Sequence, residues 1–208
     1  MPPDATATKK RLLAAAYDEF AQFGLAGARV DRIAEAAQAN KRLIYVHFGN
    51  KSDLFDLVVA NSLADLATAV PFTAEDLPGY AGRLFDYLLE HPQVLRLTGW
   101  SQLERPEAPP AQVDAYRPKI AAIAGAQQQE VVTAAVTPAD VLALLLGLTT
   151  AWANASPALR SLADQPPWDP ERLRVHRAAM IAAVQALTTL PPIPEHDSTG
   201  QQDTTFTP

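Results

Sequence analysis

Two short apolar stripes constrain this chain more than any other feature. Val30, Ile33, Ala34 and Ala37 recur at i, i+3, i+4 and i+7, which places them on one side of a short helix. Asn40 follows as a side chain able to accept a backbone N–H at a helix start, and Ile44 and Phe48, four apart, give the next helix its inner face. Two such helices, joined by a turn of three or four residues, bury their stripes by packing together. Lys41, Arg42, Tyr45 and His47 are then left on or near the outer face. A short helix that presents two cations and a phenol, steadied by a second helix, has the dimensions and chemistry to enter a DNA major groove.

The flanking sequence supplies the rest of such a unit. A first helix is expected from about Thr8 to Phe23, with Leu13, Ala16, Phe20 and Phe23 on one side and Gly24 ending it. Lys9, Lys10 and Arg11 at its start read equally as a solvated helix end or as phosphate contacts. Asn50 and Asp53 have capping-box spacing for a fourth helix that runs to about Ala69, with Lys51 in its first turn. The formal charge of the chain is −6, a weak argument against a nucleic-acid partner until its distribution is considered. Residues 9–51 carry eight Lys/Arg against four Asp/Glu, whereas residues 52–208 carry nine against eighteen. The positive charge is concentrated around the groove-sized helix, and the acidic remainder would confine DNA to that side.

Residues 9 to about 59 resemble the DNA-binding domain of the tetracycline-repressor (TetR) family. The marks are Phe20-Ala21-Gln22-Phe23-Gly24, then Val30-Asp31-Arg32-Ile33-Ala34, then Lys41 to Phe48 followed by Asn50-Lys51-Ser52-Asp53-Leu54-Phe55. The resemblance implies an all-α fold, with an N-terminal three-helix helix-turn-helix domain and a C-terminal helical domain for ligand binding and dimerisation. It implies a homodimeric, ligand-responsive regulator, most often a repressor, on a palindromic double-stranded operator. The expected DNA contacts are Arg29, Asn40, Lys41, Arg42, Leu43, Tyr45, His47 and Lys51. Three positions depart from the family pattern. Gln38 stands where a turn glycine is usual, so a positive φ there would cost about 1 kcal/mol and require a distorted or supported turn. Leu43 replaces a small hydroxyl residue and suits a thymine methyl, and Arg42 replaces a glycine and suits guanine O6 and N7.

The expected organisation is a flexible arm over 1–8, the DNA-binding domain over 9–59, a ligand-binding and dimerisation domain over 70–190, and a disordered tail over 191–208. Thr73 and Asp76 have capping-box spacing before a stripe of Leu77, Ala81, Leu84, Phe85 and Leu88 that runs to His91-Pro92. Further helices are expected over Val94 to Leu103 and from about Val113 to Ala135, with Pro118 delaying or kinking the second. Thr137-Pro138-Ala139-Asp140 and Asp169-Pro170-Glu171 are strong helix starts. The helix after the first of these, Val141 to Ala155, is apolar nearly all round and is expected to be buried on most sides. The resemblance implies that the last two helices pair with their copies in a second subunit. An effector pocket is implied as well, with Tyr87, Trp100, Leu103, Tyr116 and Trp152 as wall candidates; ordinary core packing is the competing reading for each.

Other chemistry finds little support. The chain has no cysteine, which excludes disulfides and thiolate metal sites. His47, His91, His176 and His196 share no metal-ligand spacing, no phosphate-cradling glycine loop occurs, and no cofactor is expected. Gly99-Trp100-Ser101-Gln102-Leu103 lacks the second glycine of a nucleophile elbow, so no catalytic residue is assigned. The apolar run Val141 to Leu148 is too short to span a bilayer, and no signal-like segment opens the chain, so a cytoplasmic protein without membrane contact is expected. Two alternatives stay open: a helical carrier or enzyme with an incidental helix-turn-helix, and a sequence-tolerant DNA-binding protein.

Overall fold

A computed structural model describes residues 5–105, 107 and 110–191. The described residues contain no β-strand, and their order is α1 (Ala5–Gly27), α2 (Val30–Ala36), α3 (Arg42–Phe48), α4 (Lys51–Ala69), a 3-10 turn (Ala74–Asp76), α5 (Leu77–Glu90), α6 (Pro92–Glu104), α7 (Pro110–Gln128), α8 (Pro138–Asn154), α9 (Pro157–Ser161) and α10 (Pro170–Thr188). Residues 1–4 of the expected arm, and all of the expected tail except Pro191, lie outside the described residues. Residues 5–8 are the first turn of α1 rather than arm. Thr8 explains this extension, because its side chain is buried and its hydroxyl accepts from Arg11 Nη2 at 3.3 Å.

Two hydrophobic clusters organise the helices. The first joins α1 to α4 through Leu12, Ala16, Phe20, Ile33, Ile44, Leu54 and Phe55, with the Phe20 and Phe55 rings edge to face at 5.1 Å. The second joins α5, α7, α8 and α10 through Leu84, Phe85, Ile123, Val141, Leu145, Met180 and Val184. Helix α6 serves both: Val94 enters the second cluster, whereas Leu97 is fully buried in the first.

Helices α4, α8 and α10 start on the caps that their sequences imply, whereas α5 does not. Asn50 accepts the N–H groups of Ser52 and Asp53 while Asp53 accepts that of Asn50, closing the box at the head of α4. Thr137 and Asp169 cap α8 and α10 as their spacing implies. Thr73 makes no cap; Asp76 is the cap of α5, accepting from Gly79 N at 2.9 Å, because the 3-10 turn intervenes. Helix α7 starts at Pro110, carries Pro118 in its interior, and stops at Gln128, short of the expected Ala135. The stop coincides with a left-handed residue, Glu130 (φ 60°), after which Gln127 Nε2 holds the carbonyls of Thr133 and Val136 at 2.8 Å.

Helix α8 departs from the burial expected of it. Val141, Leu142, Leu145 and Thr149 are buried, but Leu144 is 47% exposed and Ala143, Gly147 and Ala151 are also exposed. Beside it, Val175, Ala178, Ala179 and Ala182 of α10 are exposed at the same i, i+3, i+4, i+7 spacing. One chain supplies a single layer against α8, so its second apolar side stays open. Among the described residues no single helix is long and apolar enough to cross a membrane.

Candidate nucleic-acid interface

The recognition unit is held from below by a buried acid. Glu19, on α1, is 8% exposed and accepts the backbone N–H of Arg29 at 2.7 Å and Arg32 Nε at 2.8 Å. Arg32 in turn donates to Gly27 O at 3.0 Å and lays its guanidinium over the Phe23 ring at 4.2 Å. These contacts fix the loop between α1 and α2, at whose end Arg29 stands exposed and extended at the head of α2.

The turn between α2 and α3 shows how a glutamine replaces a glycine. Gln38 adopts φ 50°, the left-handed region that disfavours a Cβ. Two hydrogen bonds hold it: Ala39 N to Ala34 O and Gln38 N to Glu35 O, both 2.9 Å, the paired geometry that closes a helix on a left-handed residue. Arg11 Nε adds a third contact from α1, donating to Ala37 O at 3.1 Å. The turn is supported rather than distorted, and Arg11 is engaged in that support.

Helix α3 then presents its outer face. Asn40 Oδ1 accepts the N–H of Arg42 at 2.8 Å, so its carbonyl end serves the helix start. Ile44 and Phe48 are buried, as their spacing requires. Arg42 is exposed, Tyr45 is 48% exposed and Val46 is 65% exposed. Lys41 is paired with Asp31 at 2.7 Å, and that contact raises its pKa. The pair is mostly solvated, which leaves Lys41 available to another anion. Leu43 is half-buried against the N-terminal core, and the half-buried His47 ring lies edge-on to Phe48 at 6.0 Å. Lys51 Nζ donates to Ala28 O at 3.1 Å, which draws the head of α4 onto the end of α1. Val46 is the outward residue that sequence reading missed; its position four after Arg42, on the side opposite Ile44 and Phe48, was the available signal.

The effector candidates are not gathered in one place. Trp100 and Leu103 line a groove of about 380 Å³ between α6 and α1, together with Ala21, Gln22, Arg96 and Gly99, and Leu103 is 77% exposed at its rim. Tyr87 stacks on His91 at 4.3 Å; burial first, and then the charge of Asp65, raises its phenol pKa. Tyr116 is 44% exposed, with the Lys119 ammonium 5.7 Å from its ring. Trp152 lies against α10, under the guanidinium of Arg172.

The end of α6 makes a junction that no local pattern announced. Gly24 breaks α1 with φ 67°, and a Cβ built there would meet the Trp100 ring at 2.7 Å. The N–H groups of Leu25 and Ala26, freed by that break, donate to the Glu104 carboxylate, the second at 3.0 Å. Arg105 reaches the other way and forks onto Asp56 of α4, with a further contact to the Ser52 hydroxyl. One helix end therefore holds both helices that frame the recognition unit.

Comparison with known proteins agrees with this geometry. Residues 12–58 match the family model described as bacterial regulatory proteins, tetR family, and residues 76–185 match a tetracyclin repressor-like C-terminal domain. The HTH-type transcriptional repressor SCO4008 of Streptomyces coelicolor is 41% identical over 163 residues, covering 76% of this chain and 84% of that protein. The crystal structure of the transcriptional regulator SCO4942 from the same organism is similar at a TM-score of 0.77 and 37% identity, covering 88% of this chain and 99% of that one. A regulator from Marinobacter aquaeolei shares the fold at a TM-score of 0.67 and 16% identity, over 86% of this chain and 95% of its own.

Proposed function

The chain belongs to the tetracycline-repressor (TetR) family of DNA-binding transcriptional regulators, and from that premise we propose that it acts as a homodimeric repressor. Two copies of α3 enter successive major grooves of a palindromic operator. The observation that carries this reading is the division of α3 into a buried side, Ile44 and Phe48, and an open side, Arg42, Tyr45 and Val46. Arg42 and Lys41 approach base edges, Leu43 and Val46 offer apolar contact to thymine methyls, and Arg29, Asn40, Tyr45, His47 and Lys51 set the register on the backbone.

The open stripes of α8 and α10 supply the surface on which two subunits pair. Their small residues, Gly147, Ala151, Ala178, Ala179 and Ala182, permit close helix approach, while Leu144 and Val175 contribute apolar area. Such pairing fixes the half-site centres about 34 to 36 Å apart, or a multiple of that. The C-terminal domain binds a small-molecule effector, and α6 transmits its state through Glu104 to α1 and through Arg105 to α4. A coupling of about 1 to 3 kcal/mol would change operator affinity roughly 5- to 150-fold.

Selection of bound fragments from random duplex DNA tests this function. An inverted repeat with a fixed spacer is expected. A set of bound fragments with no common site would instead establish sequence-tolerant binding and overturn the reading.

A further inference from the structure

The first turns of α10 carry two side chains, each with one buried nitrogen that finds no hydrogen-bond partner among the described residues. Arg172 and His176, four residues apart, project from one side of α10 toward α8 and α5. The Arg172 guanidinium lies flat on the Trp152 indole, 3.3 Å from the ring centre, and the indole is pinned by Nε1–H donating to Pro167 O at 2.9 Å. The His176 ring sits 5.9 Å from the Trp152 ring and 5.8 Å from that of Phe85. Arg172 Nη1 and His176 Nε2 are both buried and make no hydrogen bond among the described residues. Arg177, the residue after His176, is by contrast forked onto Asp86 through two 2.8 Å bonds.

Native interiors rarely leave a buried polar atom unmatched, and two on adjacent turns around one indole point to a partner from outside the fold, an acceptor that the Arg172 N–H and the Nε2–H tautomer of His176 both serve. A guanidinium stacked on an aromatic ring still directs its N–H groups outward in its own plane, a geometry that a carboxylate matches. Burial, and then the charge of Arg172, lower the His176 pKa and favour the neutral imidazole. The cluster therefore holds one positive charge, which suits a monoanion. Trp152 and Phe85 supply flat apolar walls.

We propose that Arg172, His176, Trp152 and Phe85 form a binding site for a small planar organic carboxylate, whose carboxylate meets Arg172 Nη1 and His176 Nε2 while its ring lies among the aromatic side chains. This names the effector class and so rests on the ligand-responsive reading above. The site lies between α5, α8 and α10, away from the groove at Trp100 and Leu103.

Isothermal titration of the full chain with 2-naphthoate, 2-naphthamide and inorganic phosphate, at constant ionic strength and pH 7, tests the proposal. Naphthoate is expected to bind at least tenfold more tightly than either of the others, and Arg172→Met to weaken it at least tenfold. His176→Asn serves as the second variant, with the same direction expected, should the first fail to fold. Equal binding of acid and amide would reveal an apolar cleft only. Phosphate matching naphthoate would reveal an inorganic anion site, and no naphthoate binding, or affinity retained in both variants, would show that solvent or a partner subunit satisfies these groups; each result overturns the proposal. Operator binding by ligand-free protein is measured alongside. Its loss sinks the regulator reading, whereas intact operator binding without naphthoate binding sinks only the carboxylate site.

Discussion

Arg105 and Asp56 are joined across the two domains by a pair of parallel hydrogen bonds, Nε to Oδ1 at 3.0 Å and Nη2 to Oδ2 at 2.8 Å. The side chains are 27% and 39% exposed, so solvent screens the pair and its worth is about 1 kcal/mol. Asp56→Asn is expected to lower stability by about that amount and to weaken operator binding several-fold. Denaturant unfolding and operator titration check this, and a cycle with Arg105→Met is expected to show non-additive losses. Additive losses would mean that the two residues act independently.

Gln38 occupies a left-handed position at φ 50°. Gln38→Gly is expected to raise stability by about 0.5 to 1 kcal/mol, because the strain removed exceeds the entropy that glycine adds to the unfolded chain. Arg11→Met acts in the opposite direction by releasing Ala37 O. Urea midpoints of the two variants should move apart from that of the parent chain.

Arg42 is exposed on α3, and its side chain makes no hydrogen bond or ion pair among the described residues. Arg42→Ala is expected to leave the melting temperature unchanged while costing about 1 to 3 kcal/mol of discrimination at one base pair per half-site. Competition binding with single-base operator variants reads this directly. Unaltered discrimination would remove Arg42 from the base-reading set.

Gly24 combines φ 67° with a Trp100 ring 2.7 Å from where a Cβ would stand. Gly24→Ala is expected to cost about 2 to 4 kcal/mol, from backbone strain together with overpacking against the indole. Pairing it with Trp100→Leu should recover the packing part and leave the strain, as measured by thermal unfolding.

His176 has its pKa lowered, first by burial and then by Arg172. A histidine held neutral in the fold is charged more readily once unfolded, so the unfolded chain binds the extra proton. Above the ordinary histidine value of about 6.5 this has no effect on stability; as pH falls from there toward the lower folded value, stability is lost. His176→Asn is expected to flatten the dependence of melting temperature on pH below about 6.5.

The helix-turn-helix was legible because its determinants are local. The stripes through Val30 and Ile44, the Asn50–Asp53 box and the break at Gly24 each lie within a few residues of the structure they specify. The junction was not legible. Glu104 and Leu25 are 79 positions apart, and neither residue type marks a cap across that distance. The rescue of Gln38 by Arg11 is distant in the same way, at 26 positions from Arg11 to Ala37. Which of Tyr87, Trp100, Leu103, Tyr116 and Trp152 share a wall was not legible either: the family resemblance implied a pocket without placing its lining, and their helices direct them to different neighbours. The short helix α9 had a usable cap, Ser156, but too few residues to show a period.

Because Leu97 is rooted in the N-terminal core and Val94 in the C-terminal one, the boundary between the two units does not fall at the linker after Ala69. A chimera that grafted this DNA reader onto a relative's sensor by cutting there would leave the N-terminal core without Leu97. Transplanting the reader successfully means carrying α6 along with it, or redesigning the donor's own helix to fit the same socket.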